Sequence, residues 1–293
     1  MKEWKLENME SQNHSVEQIL EIERPIDVVD IGASLIEPDP PPPYKSLLDR
    51  GLANVYGFEV DSDALEKLNQ NKGPNETYFP HAVYDGEEHE LKVCKSPGMT
   101  SFLEPNTELL ACLHGFPEWG TVEQRISVPT VRLDDVEEIE SIDFLKIDIQ
   151  GAELEVFRNG MNKLKDCLVI HTEVEFLPMY EGQPLFSEVE LFLRDHGFTF
   201  HRFEPLISRI LQPLLINDDI RRELSQVTYA DAVFVRNFTK FDQLDPVSLK
   251  KTALILHDIY GSIDLATRAL MACDAKTGAS VVRDYGELLS KSG

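Results

Sequence analysis

Apolar residues in this chain fall into short blocks separated by amphipathic stretches. Residues 26–31 (IDVVDI), between Pro25 and Gly32, form an apolar run with the length of a strand buried on both faces. Residues 54–59 (NVYGFE) repeat that pattern and lead into Asp61-Ser62-Asp63 and a helical stretch over 64–71, which Asp61 or Ser62 can cap. HAVYDGEEHELKV carries Asp85-Gly86 between two β-rich runs, which predicts a hairpin. Residues 126–133 alternate as a strand. Residues 142–149 (IDFLKIDI) read as another buried strand, followed by a helix over 151–159 closed by Gly160. Residues 168–174, 198–203 and 230–235 supply further strands, and 187–196 a helix ending at Gly197. From Lys240 onward the pattern is helical, with Asp245-Pro246 as its start.

Strands separated by helices predict an α/β fold, with a mostly parallel sheet covered by helices on both faces. The expected organisation is an arm over residues 1–24, one α/β domain over 25–237 and a helical C-terminal appendage over 238–293. A stiff proline-rich segment, Glu37-Pro38-Asp39-Pro40-Pro41-Pro42-Pro43-Tyr44, follows the first glycine turn. The tail carries Leu249, Leu254, Leu256, Ile259, Ile263 and Leu270 at apolar spacing. Packing on the core and contact in a homodimer both suit such a face.

Charge narrows the choice of partners. There are 52 Asp and Glu against 28 Lys and Arg, a formal net charge of -24, and such a surface repels phosphate backbones. Nucleic acid is therefore not an expected partner. The four cysteines (Cys94, Cys112, Cys167 and Cys273) make no C-x-x-C pair, and no residue spacing argues for a metal. The first residues lack the apolar core of a signal peptide, and no run approaches the roughly 18 apolar residues of a membrane span. Those absences lead us to expect a cytoplasmic protein.

In doubly wound sheets ligands bind beyond the carboxyl ends of the strands, where strand order reverses. Four segments bring polar residues to such ends. Asp30-Ile31-Gly32-Ala33 ends the first strand in a glycine turn that admits close backbone approach. Glu59 ends the second, where a carboxylate can accept both hydroxyls of a ribose diol. Lys146 and Asp148 share one face of the strand over 142–149, and Glu153 follows in the first helical turn, where a carboxylate suits the helix dipole. His171 and Glu173 share a face of the next strand, with Glu175 expected on a loop.

The stretch VRLDDV…IDFLKIDIQGAELEVFRNG…VIHTEVEF, with GFEVDSDALEKLN, PLFSEVELFLRDHGF and Ser101-Phe102-Leu103-Glu104-Pro105, resembles the FkbM-type methyltransferase family over roughly residues 25–236. The resemblance implies a seven-stranded Rossmann-like sheet and S-adenosylmethionine as cofactor. It also implies methyl transfer to a hydroxyl oxygen of a sugar, glycolipid or related small metabolite. By position it assigns Asp30, Gly32 and Ala33 to the cofactor turn and Glu59 to the ribose. His81, Ala82 and Val83, ending the third strand, fall near the adenine. Asp148 and Glu153 match acidic positions of the family signature. Two positions depart from the family pattern: Leu35-Ile36 stands where a second glycine is usual, and Gln150 where glutamate is frequent.

Methyl transfer from a sulfonium is an in-line displacement, so alignment is the main requirement, and an alcohol acceptor must also lose its proton. Asp148 is the first candidate base, with Glu153 and His171 as alternatives and Lys146 to orient Asp148 or contact an anionic substrate. A nicotinamide oxidoreductase is disfavoured because the first turn lacks G-x-G-x-x-G. The competing reading is a non-catalytic cofactor-binding protein that keeps the fold.

Overall fold

The computed structural model describes residues 16–34 and 40–291. The expectations for residues 1–15 of the arm, for Leu35-Ile36 and for residues 37–39 of the proline-rich segment lie outside the described residues.

Among the described residues, ten strands follow in chain order: β1 (Ile26–Ile31), β2 (Ala53–Phe58), β3 (Glu76–Phe79), β4 (Ala82–Tyr84), β5 (Glu88–Cys94), β6 (Val122–Arg132), β7 (Phe144–Ile147), β8 (Val169–Glu175), β9 (Phe198–Arg209) and β10 (Gln226–Arg236). Seven of them form one sheet in the order β3-β2-β1-β7-β8-β10-β9. The pairs β2–β3, β1–β7 and β7–β8 are parallel, whereas β10 runs antiparallel to β8. This is the expected mostly parallel, Rossmann-like sheet of seven strands. β1 lies between β2 and β7, so the strand order reverses there and opens the crevice that ligands use in such sheets.

The apolar runs explain the central strands. Val28, Val29 and Ile31 of β1 and Phe144, Leu145 and Ile147 of β7 are buried, as strands covered on both faces must be. Leu154, Val156 and Phe157 of the helix Glu153–Arg158 pack into the same core as Val29, Ile147 and Ile170. Asp61 caps the helix Ser62–Asn71, its carboxylate accepting from the Ala64 amide at 2.8 Å. Gly160 interrupts the helical stretch before the short helix Met161–Leu164.

Several local expectations change. β4 and β5 do not pair as a hairpin: both flank β6, β4 in parallel and β5 antiparallel, in a separate sheet ordered β4-β6-β5. Asp85 and Gly86 still turn the chain, but the strands they join find their partner about 40 residues later. His81, Ala82 and Val83 therefore do not end the third strand. β3 stops at Phe79, and Ala82 and Val83 open β4. β7 is shorter than expected and leaves Asp148 just beyond its end. Glu175 belongs to β8, not to a loop.

Chain contacts divide the protein into two units, each discontinuous in sequence: residues 28–41 with 55–235, and residues up to 27 with 42–54 and those from 236 on. In the second unit the helices Pro246–Asp258, Ile263–Thr277 and Val281–Lys291 bury the predicted Leu249, Leu254, Leu256, Ile263 and Leu270. Asp245 caps the first of these helices, accepting from the amides of Val247 and Ser248. Arg50 joins distant parts of this unit, donating to Glu17 at 2.8 Å and to Asp258 at 2.6 Å. Among the described residues no helix is long and apolar enough to cross a membrane.

Candidate active site at the strand-order reversal

The ends of β1, β7 and β8 bring the predicted acids of the signature together. Asp30 of β1 stands in register with Lys146 of β7, which in turn stands beside His171 of β8. That register decides what Lys146 does. Its ammonium lies 3.1 Å from Asp30 Oδ1 and donates to the Gly32 carbonyl at 3.0 Å. Lys146 thus ties the end of β1 to its turn, and against the opposing effect of burial the Asp30 and Asp148 charges raise its pKa. Asp30 is only 1% exposed and serves as the buried counter-charge of that lysine.

Gly32 adopts φ +81°, and a Cβ there would meet the Asp148 carbonyl oxygen at 2.1 Å. Only glycine permits both that backbone and that approach. The amides of Gly32 and Ala33 donate to the Phe58 carbonyl at 3.1 and 3.0 Å, and Asp148 donates its own amide to Ile31 at 3.0 Å. The turn after β1 is therefore laced to the ends of β2 and β7. Glu59 follows β2, nearly buried, and accepts from the Asp61 amide at 2.8 Å. Burial raises its pKa, a shift its backbone hydrogen bonds partly oppose. Of the three residues assigned to the adenine, His81 is half-buried with its ring 6.2 Å from that of Phe79, and Ala82 and Val83 are buried.

Beyond β7 the backbone turns through two left-handed residues, Gln150 (φ 59°) and Gly151 (φ 92°). Glu153 holds this turn: its Oε1 accepts from the amides of Ile149 (2.9 Å) and Gly151 (3.2 Å). Burial nevertheless pushes its pKa up to about 7. Its oxygen is committed to the backbone, so the geometry makes Glu153 a turn-holding residue. His171, buried on β8, places Nε2 3.3 Å from Asp231 Oδ2 of β10.

Asp148 and Glu173 form the centre of the cluster. The side-chain nitrogen of Gln150 donates to Asp148 Oδ1 and to Glu173 Oε2, both at 2.8 Å. Its Oε1 lies 3.1 Å from the Tyr180 hydroxyl, and its backbone carbonyl accepts from Ser101 Oγ at 2.7 Å. Burial first, then the Asp148 charge, raises the pKa of Glu173 well above the usual range. Glu175, only 4% exposed, is raised by burial and by Glu153 and Asp148. Asp148, Glu153 and Glu173 each offer an oxygen within 4.8 Å of the others. Gln150 and the backbone engage one oxygen of each of these carboxylates.

The sequence pointed to Asp148, Glu153, Lys146, Asp30 and Gly32, and the structure brings all five to one place. It passed over Tyr180 and Asp231, and it treated Gln150 only as a lost carboxylate. Two successive left-handed residues leave no mark in a periodicity reading, and Tyr180 reaches the site from a loop without pattern.

Residues 30–200 match the methyltransferase FkbM domain family. The 2-O-methyltransferase NoeI of Sinorhizobium fredii is 29% identical over 195 residues, 61% of this chain and 75% of that protein. Among solved structures, the magnesium protoporphyrin IX methyltransferase of Synechocystis PCC 6803 with bound SAM is 12% identical, with a TM-score of 0.36 over 76% of this chain and 79% of that one. TYW2 of M. jannaschii in complex with AdoMet is 17% identical, with a TM-score of 0.32 over 80% and 82%. Scores of this size add nothing to the strand order itself. The family uses S-adenosylmethionine, and the residues here fit it: a glycine turn at the strand-order reversal, with the Glu59 carboxylate beside it. A matched region that spans both the glycine turn and the whole acid cluster makes the chain a member of the FkbM methyltransferase family.

Proposed function

We infer that the protein is an O-methyltransferase acting on a hydroxyl group of a sugar, glycolipid or related small metabolite. When bound, S-adenosylmethionine supplies an electrophilic methyl carbon; the protein must align the acceptor and take its proton. Gly32, Ala33 and Glu59 would hold the cofactor, Glu59 through the ribose hydroxyls. Asp148 is the base, because it follows β7 directly and lies against the Gly32 turn. His171 is paired with Asp231 and Glu153 with the backbone, so both are less suited to receive a substrate proton.

The observation that carries this reading is the Asp148–Glu173 pair beside the cofactor turn, held by a single amide. Both acids accept from the Gln150 amide, and burial with the Asp148 charge raises the proton affinity of Glu173, so Asp148 sits beside a neighbour able to carry a proton. The relative NoeI, named as a 2-O-methyltransferase, supports a hydroxyl acceptor. The test is transfer of labelled methyl from S-adenosylmethionine to a panel of saccharides and glycolipids. Product methylated on oxygen is expected. Cofactor binding without transfer to any hydroxyl acceptor would favour the non-catalytic reading.

A further inference from the structure

Gln150 stands at the centre of the acid cluster in a conformation that side chains rarely adopt. Its φ of 59° is left-handed, and its neighbour Gly151 is left-handed too. A glycine at 150 would adopt this backbone without strain, so the side chain must be accounted for by what it touches. Its amide is held at both ends. The Tyr180 hydroxyl lies 3.1 Å from Oε1 and 3.2 Å from the Met99 carbonyl, and burial with the nearby Glu173 charge raises the tyrosine pKa, so that hydroxyl keeps its one proton and shares it between these two oxygens. The two hydrogens on Nε2 are then left for Asp148 and Glu173, one each. Turning the amide over would put its oxygen against two acids and its NH2 against Tyr180. The orientation is therefore fixed by chemistry. Ser101 fixes the backbone by donating to the Gln150 carbonyl at 2.7 Å.

We propose that Gln150 is the positioning residue of this site: its neutral amide, oriented by Tyr180, holds Asp148 and Glu173 side by side so that one of them can serve as the base. The proposal rests on the methyl-transfer reading for its purpose but not for its geometry. The pair sits in a field with few cations. Glu175 and Asp231 face Glu173 from β8 and β10, and Glu153 faces it from the helix after the turn. Lys146 is the nearby ammonium, and it is committed to Asp30 and Gly32. A neutral donor is the side chain that can bridge two acids without adding a third negative charge. Glutamate at 150 has no hydrogen to give when ionised and would repel both.

The test is a carboxyl 13C NMR titration of the free protein, with the Asp148 and Glu173 signals assigned through D148N and E173Q. Q150E should raise the proton affinity of the pair about tenfold, a shift of about one pH unit upward in its titration. Q150G keeps the left-handed backbone and its bond to Ser101 and so preserves the turn. It should shift the titration in the same direction by less, as should Y180F. In turnover, the acidic limb of the kcat profile should move up with the titration in each variant. Unmoved titrations in folded Q150E and Q150G would overturn the proposal. Shifted titrations in a protein that methylates no hydroxyl would uphold it and defeat the proposed reaction instead.

Discussion

Gly32 and Asp148 are pressed together so closely that one added carbon on the glycine would stand 2.1 Å from the aspartate carbonyl oxygen. The turn that follows β1 and the acid that follows β7 thus share one backbone contact, and neither can move alone. Gly32→Ala should destabilise the protein by about 2–4 kcal/mol, from the left-handed backbone and the overlap together. Urea denaturation measures the loss. S-adenosylhomocysteine affinity should fall in parallel, and unchanged stability would show that the turn can reshape.

Asp148→Asn keeps the shape of the side chain and its acceptor for Gln150. If Asp148 is the base, turnover should fall roughly 10²–10⁴-fold while S-adenosylhomocysteine affinity stays within about twofold. Calorimetry beside a methyl-transfer assay separates the two quantities, and undiminished transfer would move the role to another group.

Glu59→Ala removes the carboxylate beside the turn. A lost charge-assisted pair of hydrogen bonds amounts to about 1.5–3 kcal/mol, or roughly 10–100-fold weaker cofactor binding. Equal affinity in the variant, measured by calorimetry, would exclude Glu59 from the ribose.

Lys146→Met leaves Asp30 with its charge buried and its ammonium partner gone. The expected loss is about 3–5 kcal/mol, and the double variant with Asp30→Asn should lose less, since no isolated charge remains. Additive losses in a double-mutant cycle by urea denaturation would mean the two residues are not energetically paired.

Stability should depend on pH through the buried glutamates. Burial raises Glu153 to about 7 and sends Glu173 and Glu175 well above their ordinary range. Their folded pKa values exceed the unfolded ones, so the folded state binds more protons and stability falls as pH rises from about 4.5 through 7. For Glu153 alone the change is on the order of 3 kcal/mol. The melting temperature should be higher at pH 5.5 than at pH 8, and Glu153→Gln, which keeps an oxygen for Ile149 and Gly151, should flatten the difference. A wild-type melting temperature that rises over this range would contradict the assignment.

The residues that were legible in sequence are those whose environment is set locally. β1 matches its predicted bounds because Pro25 and Gly32 bracket a largely apolar run, and Asp245-Pro246 supplies both a cap and a first helical residue locally. What the sequence could not disclose was set by register and distance. Nothing within β4 or β5 reveals that both pair with β6. Lys146 is partnered by Asp30 because β1 and β7 align those two positions, and no pattern within either strand says so. Tyr180 and Gln150 meet across a turn whose left-handed residues are dictated by packing.

The Arg50 bridge described above has a consequence for biosynthesis. Arg50 and Asp258 are 208 residues apart, so at ordinary translation rates about 10–40 seconds separate their synthesis. Until the helix carrying Asp258 emerges, Arg50 and Glu17 have only each other. The unit they belong to closes last, while residues 55–235 are already made and free to fold. That delay places the last long-range contacts of this discontinuous unit at the end of synthesis.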